Sequence, residues 1–165
     1  MPSDLAENQI AIRRAILHLC GQMGWSSLNE LPLPDGRRAD IMALRPDNGF
    51  VCIEIKSGPR DFLTDSKWHR YRNWCDQFFF AVDRDFPLAL LPDSAGLMVV
   101  ATDMRPAGYT IIAESAITRD APTFPLASAR RRKLTHLFAT QAAERLGRLD
   151  DPAITASLRA ARRIE

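Results

Sequence analysis

Two periods of apolar spacing divide this chain. From Asp4 to Met23, the residues Ile12, Ile16, Leu19, Cys20 and Met23 recur on one helical face. Asp4 and Glu7 are spaced as a capping-box pair, and Gly24 supplies a stop. The period then shortens. Trp25–Leu33, Arg37–Leu44 and Phe50–Lys56 read as strands, separated by the turn signals Pro34-Asp35-Gly36 and Pro46-Asp47-Asn48-Gly49. Two short turns between three strands predict an antiparallel meander. Ser57-Gly58-Pro59 ends the third strand, and Asp65 is placed to cap a second helix over Ser66–Cys75, with Trp68, Tyr71 and Cys75 on one side.

Phe78–Val82 is a continuous apolar run of strand length and predicts a fully buried central strand. A proline-bearing loop, Asp83–Asp93, follows. Leu97–Ala101 and Tyr109–Ala113 read as two more strands around a turn at Pro106–Gly108. Leu126–Leu146 carries Leu126, Leu134, Leu137, Phe138, Ala142 and Leu146 near helical spacing. The order predicts an α/β sandwich, a mixed sheet with helices over it.

The residues that do not belong in a core lie in Val51-Cys52-Ile53-Glu54-Ile55-Lys56. Side chains alternate along a strand, so Cys52, Glu54 and Lys56 share a face opposite Val51, Ile53 and Ile55. Burying either charge alone is costly, so they must be paired, metal-bound or at a cleft. A surface ion pair on a half-exposed sheet is the plainer alternative. Asp40 opens an apolar run in the preceding strand, where Asp is disfavoured. A short turn lets Asp40 and Glu54 lie side by side. Two such carboxylates repel unless a cation sits between them or one holds a proton. Hard oxygen ligands suit Mg²⁺ or Mn²⁺, and Lys56 beside them suits an attacked phosphate. The chemistry that fits is phosphodiester hydrolysis. Glu30 interrupts its own strand and either completes the acidic cluster or pairs with Arg37 or Arg38.

The helix, the Asp-bearing strand and the strand ending Glu-x-Lys resemble the PD-(D/E)XK nuclease superfamily, with Ala39 where that pattern often has proline. The runs Glu30–Asp40, Glu54-Ile55-Lys56-Ser57, Asp61-Phe62, Asp65-Ser66-Lys67-Trp68, Tyr71 and Cys75–Val82 are similar to the MmcB-related bacterial DNA repair proteins. The similarity extends from about residue 10 to the final long helix. It implies a restriction-endonuclease-like three-layer sandwich, with its mixed central sheet flanked by helices. It also implies Asp40 and Glu54 as metal ligands with the main-chain carbonyl of Ile55, and Lys56 at the phosphate. Lys67 and Tyr71 resemble the Q-x-x-x-Y element of RecB-like nucleases, with Lys in place of Gln. The superfamily often has an additional acid on its first helix, where Glu7 is the only Glu and capping accounts for it.

The formal net charge is +2, but its distribution is uneven. Residues 126–165 carry nine Arg or Lys against four Asp or Glu, whereas residues 1–125 carry 13 basic and 16 acidic groups. Arg130, Arg131, Arg132 and Lys133, with Arg38, Lys67 and Tyr71, are candidate DNA contacts, although a run of four spreads around a helix and suits a solvated face equally. Apolar residues at 46% and charged residues at 25% exclude a disordered chain. Three scattered cysteines at no zinc-like spacing argue against a disulfide framework or a zinc site. No signal-peptide pattern or membrane-length apolar run is present, so a cytoplasmic protein is expected.

The predicted organisation is one nuclease-like domain, 1–147, and a basic tail, 148–165. The expected function is a DNA repair protein with a Mg²⁺- or Mn²⁺-dependent DNA phosphodiesterase site. Its partners would be DNA and other repair proteins. The alternative is a catalytically inactive nuclease-fold module that binds DNA or docks proteins.

Overall fold

The meander appears first and sets the rest. In the computed structural model, which describes residues 4–104, 110–153, 156 and 160 (backbone alone at 4–6, 102–104 and 110–113), β1 (Ser26–Pro32), β2 (Arg38–Leu44) and β3 (Phe50–Ile55) pair antiparallel in sequence order. The chain then crosses over, and β4 (Gln77–Asp83) and β5 (Gly96–Met104) each join parallel to the strand before. β6 (Thr110–Arg119) closes the sheet antiparallel to β5. The result is one mixed six-stranded sheet of order β1-β2-β3-β4-β5-β6, in agreement with a restriction-endonuclease-like α/β fold. β3 is buried throughout, and β4 at every position but its last. Strands in the middle of a sheet covered on both faces are buried along their length, which explains the apolar run of β4 and makes Glu54 the one charged side chain of β3.

Helix α1 (Asp4–Gln22) covers one face. Ile12, Ala15, Ile16 and Cys20 pack against Ile41, Ala43, Val51, Ile53, Ile55, Phe79, Ala81, Met98 and Val100. Each fully buried large side chain contributes about 1.5–3 kcal/mol. The opposite face is closed by aromatic packing: Trp68 stacks on Phe78 at 5.4 Å, and Phe62 meets Phe80 edge-on at 5.4 Å. Helix, sheet and helical cover make three layers.

The cover differs from the expected single helix over Ser66–Cys75. It consists of a short α2 (Pro59–Thr64), which begins with proline in its first turn, and a 3₁₀ helix over Trp68–Trp74. Trp68, Tyr71 and Trp74 recur every third residue, the repeat of a 3₁₀ helix rather than an α-helix, and all three are at least partly buried. The expected cap is also different: Lys67, not Asp65, is the N-cap residue, and no side chain closes the helix start.

Cys20, Cys52 and Cys75 are free and buried, as expected of structural thiols. Asp76 staples the near end of the sheet, accepting from the Phe50 N–H at 2.7 Å and the Leu126 N–H at 2.8 Å. The capping role expected of Asp4 and the turn expected at Pro106–Gly108 lie outside the described residues and side chains.

The chain forms two compact units, Met1–Leu126 and Ala127–Glu165. The second is built on α3 (Ser128–Asp150), which runs through Gly147 rather than ending before it. Leu134 and Phe138, one turn apart, are its buried side chains. Most of the basic tail expected beyond residue 148 falls outside the described residues.

Candidate active site

Strand alternation brings the acids together. The register of β2 and β3 pairs Ile41 with Ile53 and Met42 with Cys52, so one step further sets Asp40 opposite Glu54. Ile41 and Ile53 enter the core under α1, which turns Asp40 and Glu54 to the other face. Lys56, two residues beyond Glu54, shares that face and brings its Nζ to 3.8 Å from Glu54 Oε1. The Ile55 N–H between them donates to Asp40 Oδ2 at 2.9 Å, which locks the Asp40 rotamer onto β3.

Burial governs the charge. Glu54 and Lys56 are 7% and 4% exposed. Burial, followed by the charge of Asp40, pushes the Glu54 carboxyl up to about 8. Burial also raises Asp40, against the Ile55 hydrogen bond and the nearby Lys56 and Arg13 charges. Lys56 responds differently. Burial alone would lower it, but its hydrogen bond with Asp65 and the charge of Glu54 raise it overall, so it stays an ammonium. Glu54 Oε2 is buried and has no hydrogen-bond partner among the described residues. A buried carboxylate oxygen left without a donor is costly unless it holds a proton or meets a cation.

The comparisons with known proteins bear on the family and the fold. The family model for "DNA repair protein MmcB-like" matches residues 2–153. The chain belongs to the MmcB-like family. A solved structure, the SPO1766 protein of unknown function from Silicibacter pomeroyi, superposes with a TM-score of 0.76 at 38% sequence identity, covering 88% of this chain and 92% of that one. No curated protein matches.

The short runs after Glu54-Ile55-Lys56 divide between the charged cluster and the framework around it. Asp61 and Asp65 belong to the cluster, a role that sequence reasoning missed. Asp65 Oδ2 takes the Lys56 ammonium at 2.8 Å, and Asp61 Oδ2 accepts from the Ser57 N–H at 3.2 Å. Their signal was legible: both are acids in the short motif that follows Glu-x-Lys. Asn8 and Arg13 of α1 were also missed. Asn8 donates to Asp83 Oδ2 at 2.6 Å, and Arg13 donates to Glu30 Oε1 at 3.2 Å.

Glu30 stands opposite Asp40 in the β1–β2 register, between the pairs Asn29–Ile41 and Leu31–Ala39. Its backbone is left-handed, with φ 49°, and its carboxylate pairs with Arg13 and with Arg38 Nη1 at 3.9 Å. Pairing was one of the two roles open to Glu30, and Arg13 was not anticipated in it. Tyr71 is buried and donates its hydroxyl to the Arg38 carbonyl at 3.1 Å, while Lys67 is exposed. The two therefore do not share one face of an α-helix. Arg130, Arg132 and Lys133 are exposed on α3, and Arg131 is half-buried there.

Among the described residues no three His, Cys, Asp or Glu side chains converge as a ready-made metal site. Asp40 and Glu54 nonetheless suit a hard divalent ion, because Glu54 Oε2 is unpartnered and burial raises both carboxyls. No helix among the described residues is long and apolar enough to cross a membrane.

Proposed function

We propose that this MmcB-like protein acts in DNA repair as a divalent-metal-dependent DNA phosphodiesterase, using Mg²⁺ or Mn²⁺ at Asp40, Glu54 and the main-chain carbonyl of Ile55. The observation that carries this reading is Glu54 Oε2, buried without a partner opposite a second carboxylate and beside an ammonium. A bound divalent ion supplies Lewis acidity to the phosphate and lowers the pKa of a water. Asp40, pinned by the Ile55 N–H, and Glu54 hold the ion's place. Lys56 donates to a non-bridging phosphate oxygen as negative charge gathers there, while the water oxygen bonds to phosphorus and one P–O ester bond breaks. Arg38 and Lys67, both exposed, are the cations proposed to meet the DNA backbone. Arg130, Arg131, Arg132 and Lys133 on α3 are proposed as further phosphate contacts. The buried Tyr71 supports that surface from below.

A specific observation favours a second reading. Lys56 is already committed to Asp65 at 2.8 Å and is nearly buried, as in a nuclease fold that binds DNA or docks repair proteins without turnover.

Cleavage of single-stranded, duplex, flapped and branched DNA with Mn²⁺ separates the two. The wild type should cleave at least one substrate, and Lys56→Ala and Asp40→Asn should not. Equal cleavage by all three indicates a contaminating nuclease. DNA binding by the wild type with no cleavage establishes the second reading.

A further inference from the structure

The Lys56 ammonium has two carboxylates within reach and chooses the more distant in sequence. It lies 2.8 Å from Asp65 Oδ2 and 3.8 Å from Glu54 Oε1. Asp65 is itself fixed, because its Oδ1 accepts the Lys67 N–H at 3.1 Å. One turn earlier, Asp61 Oδ2 accepts the Ser57 N–H at 3.2 Å and the Ser57 hydroxyl at 3.4 Å. The first turn of α2 and the residue that caps its end therefore grip the chain just past β3 at two points, the main chain of Ser57 and the side chain of Lys56. A lysine carries four rotatable bonds and loses much of their freedom when it is held. Released from Asp65, the ammonium would close the gap to Glu54 and take up the carboxyl group whose Oε2 has no hydrogen-bond partner.

We propose that Asp65 is a positioning residue: it holds Lys56 at ion-pair distance from Glu54 but short of hydrogen-bond contact, and so keeps Glu54 Oε2 open for a ligand. The catalytic consequence rests on the phosphodiesterase reading; the restraint on Lys56 does not.

The chain has three lysines, Lys56, Lys67 and Lys133, so the ammonium signals of ¹⁵N-lysine-labelled protein can be assigned one by one. In the wild type the Lys56 signal should exchange with water far more slowly than the two exposed lysines. In Asp65→Asn, which preserves shape, that protection should fall at least tenfold, and Asp65→Glu should restore part of it. Thermal stabilisation by Mn²⁺ should weaken in Asp65→Asn and return in Asp65→Glu. In cleavage, Asp65→Asn should lower kcat about 10²-fold, as expected for a misplaced catalytic group, with KM changed much less.

Unchanged Lys56 protection in Asp65→Asn overturns the proposal. So does lost protection with undiminished Mn²⁺ stabilisation and cleavage. A wild type that cleaves nothing but shows the Asp65-dependent protection overturns the phosphodiesterase reading alone and supports the restraint.

Discussion

Asp40 Oδ2 accepts the backbone N–H of Ile55 at 2.9 Å, so an acid of β2 is fixed to the residue that separates Glu54 from Lys56. The bond continues the antiparallel pairing with a side chain where the strands begin to part. It holds two like charges close at a cost, and that cost makes the cluster testable.

Asp40→Asn keeps an acceptor for Ile55 while removing the charge facing Glu54. The metal-free variant should melt at or above the wild-type temperature, because a repulsion between buried carboxylates is gone. Mn²⁺ at millimolar concentration should raise the wild-type melting temperature and leave the variant's unchanged. Equal shifts would remove Asp40 from the metal site.

The raised Glu54 carboxyl has a predictable signature in stability against pH. The unfolded carboxyl ionises near its ordinary value, while the folded one keeps its proton to about 8. Between these values the folded state binds more protons, so metal-free stability falls as pH rises, and the decline levels off above the folded value. Glu54→Gln abolishes this titration. Its stability relative to wild type should increase from about pH 5 to about pH 8, as read from urea unfolding in chelator.

Tyr71 stacks on Phe78 at 6.0 Å and donates to the Arg38 carbonyl. Tyr71→Phe keeps the ring and loses the hydrogen bond, at a cost of about 1 kcal/mol, or about 2–4 °C in Tm. DNA affinity should stay within a few-fold. A large loss of affinity with unchanged Tm would make the hydroxyl a DNA contact instead.

Gly96 opens β5 opposite Phe79. A Cβ there would lie 2.4 Å from the Phe79 ring and 2.7 Å from Ala121 Cβ. Gly96→Ala should therefore destabilise the protein by about 1–3 kcal/mol in denaturant unfolding, because ring and strand must move apart.

Reversing Arg130, Arg132 and Lys133 to Glu tests the exposed basic residues of α3. Binding to duplex DNA should weaken, and the slope of log affinity against log salt should shrink by about one for each phosphate the helix no longer neutralises. An unchanged slope would exclude these residues from the interface.

The sequence was most informative where period and chemistry coincided. Alternation placed Glu54 and Lys56 on one face, and the turn before β3 brought Asp40 to the same side. Continuous apolar residues marked β4 as central. Helical cover was harder to read: an Asp followed by spaced aromatics suits an α-helix start, yet Trp68, Tyr71 and Trp74 at every third position built a 3₁₀ helix. Pro59 and Asp61, suited to a first helical turn, marked α2, but Ser57-Gly58-Pro59 read as the break that ends β3.

Local periodicity thus determined by itself that Glu54 and Lys56 would emerge on one side of a buried strand, because backbone stereochemistry fixes side-chain direction within a few residues, and the short turn before that strand set Asp40 beside them. Which carboxylate the amine would take, and that Arg13 of the first helix would pair with Glu30, only the tertiary structure decided. Those choices depend on distances between segments far apart in the chain, and on the desolvation that packing imposes on each charge.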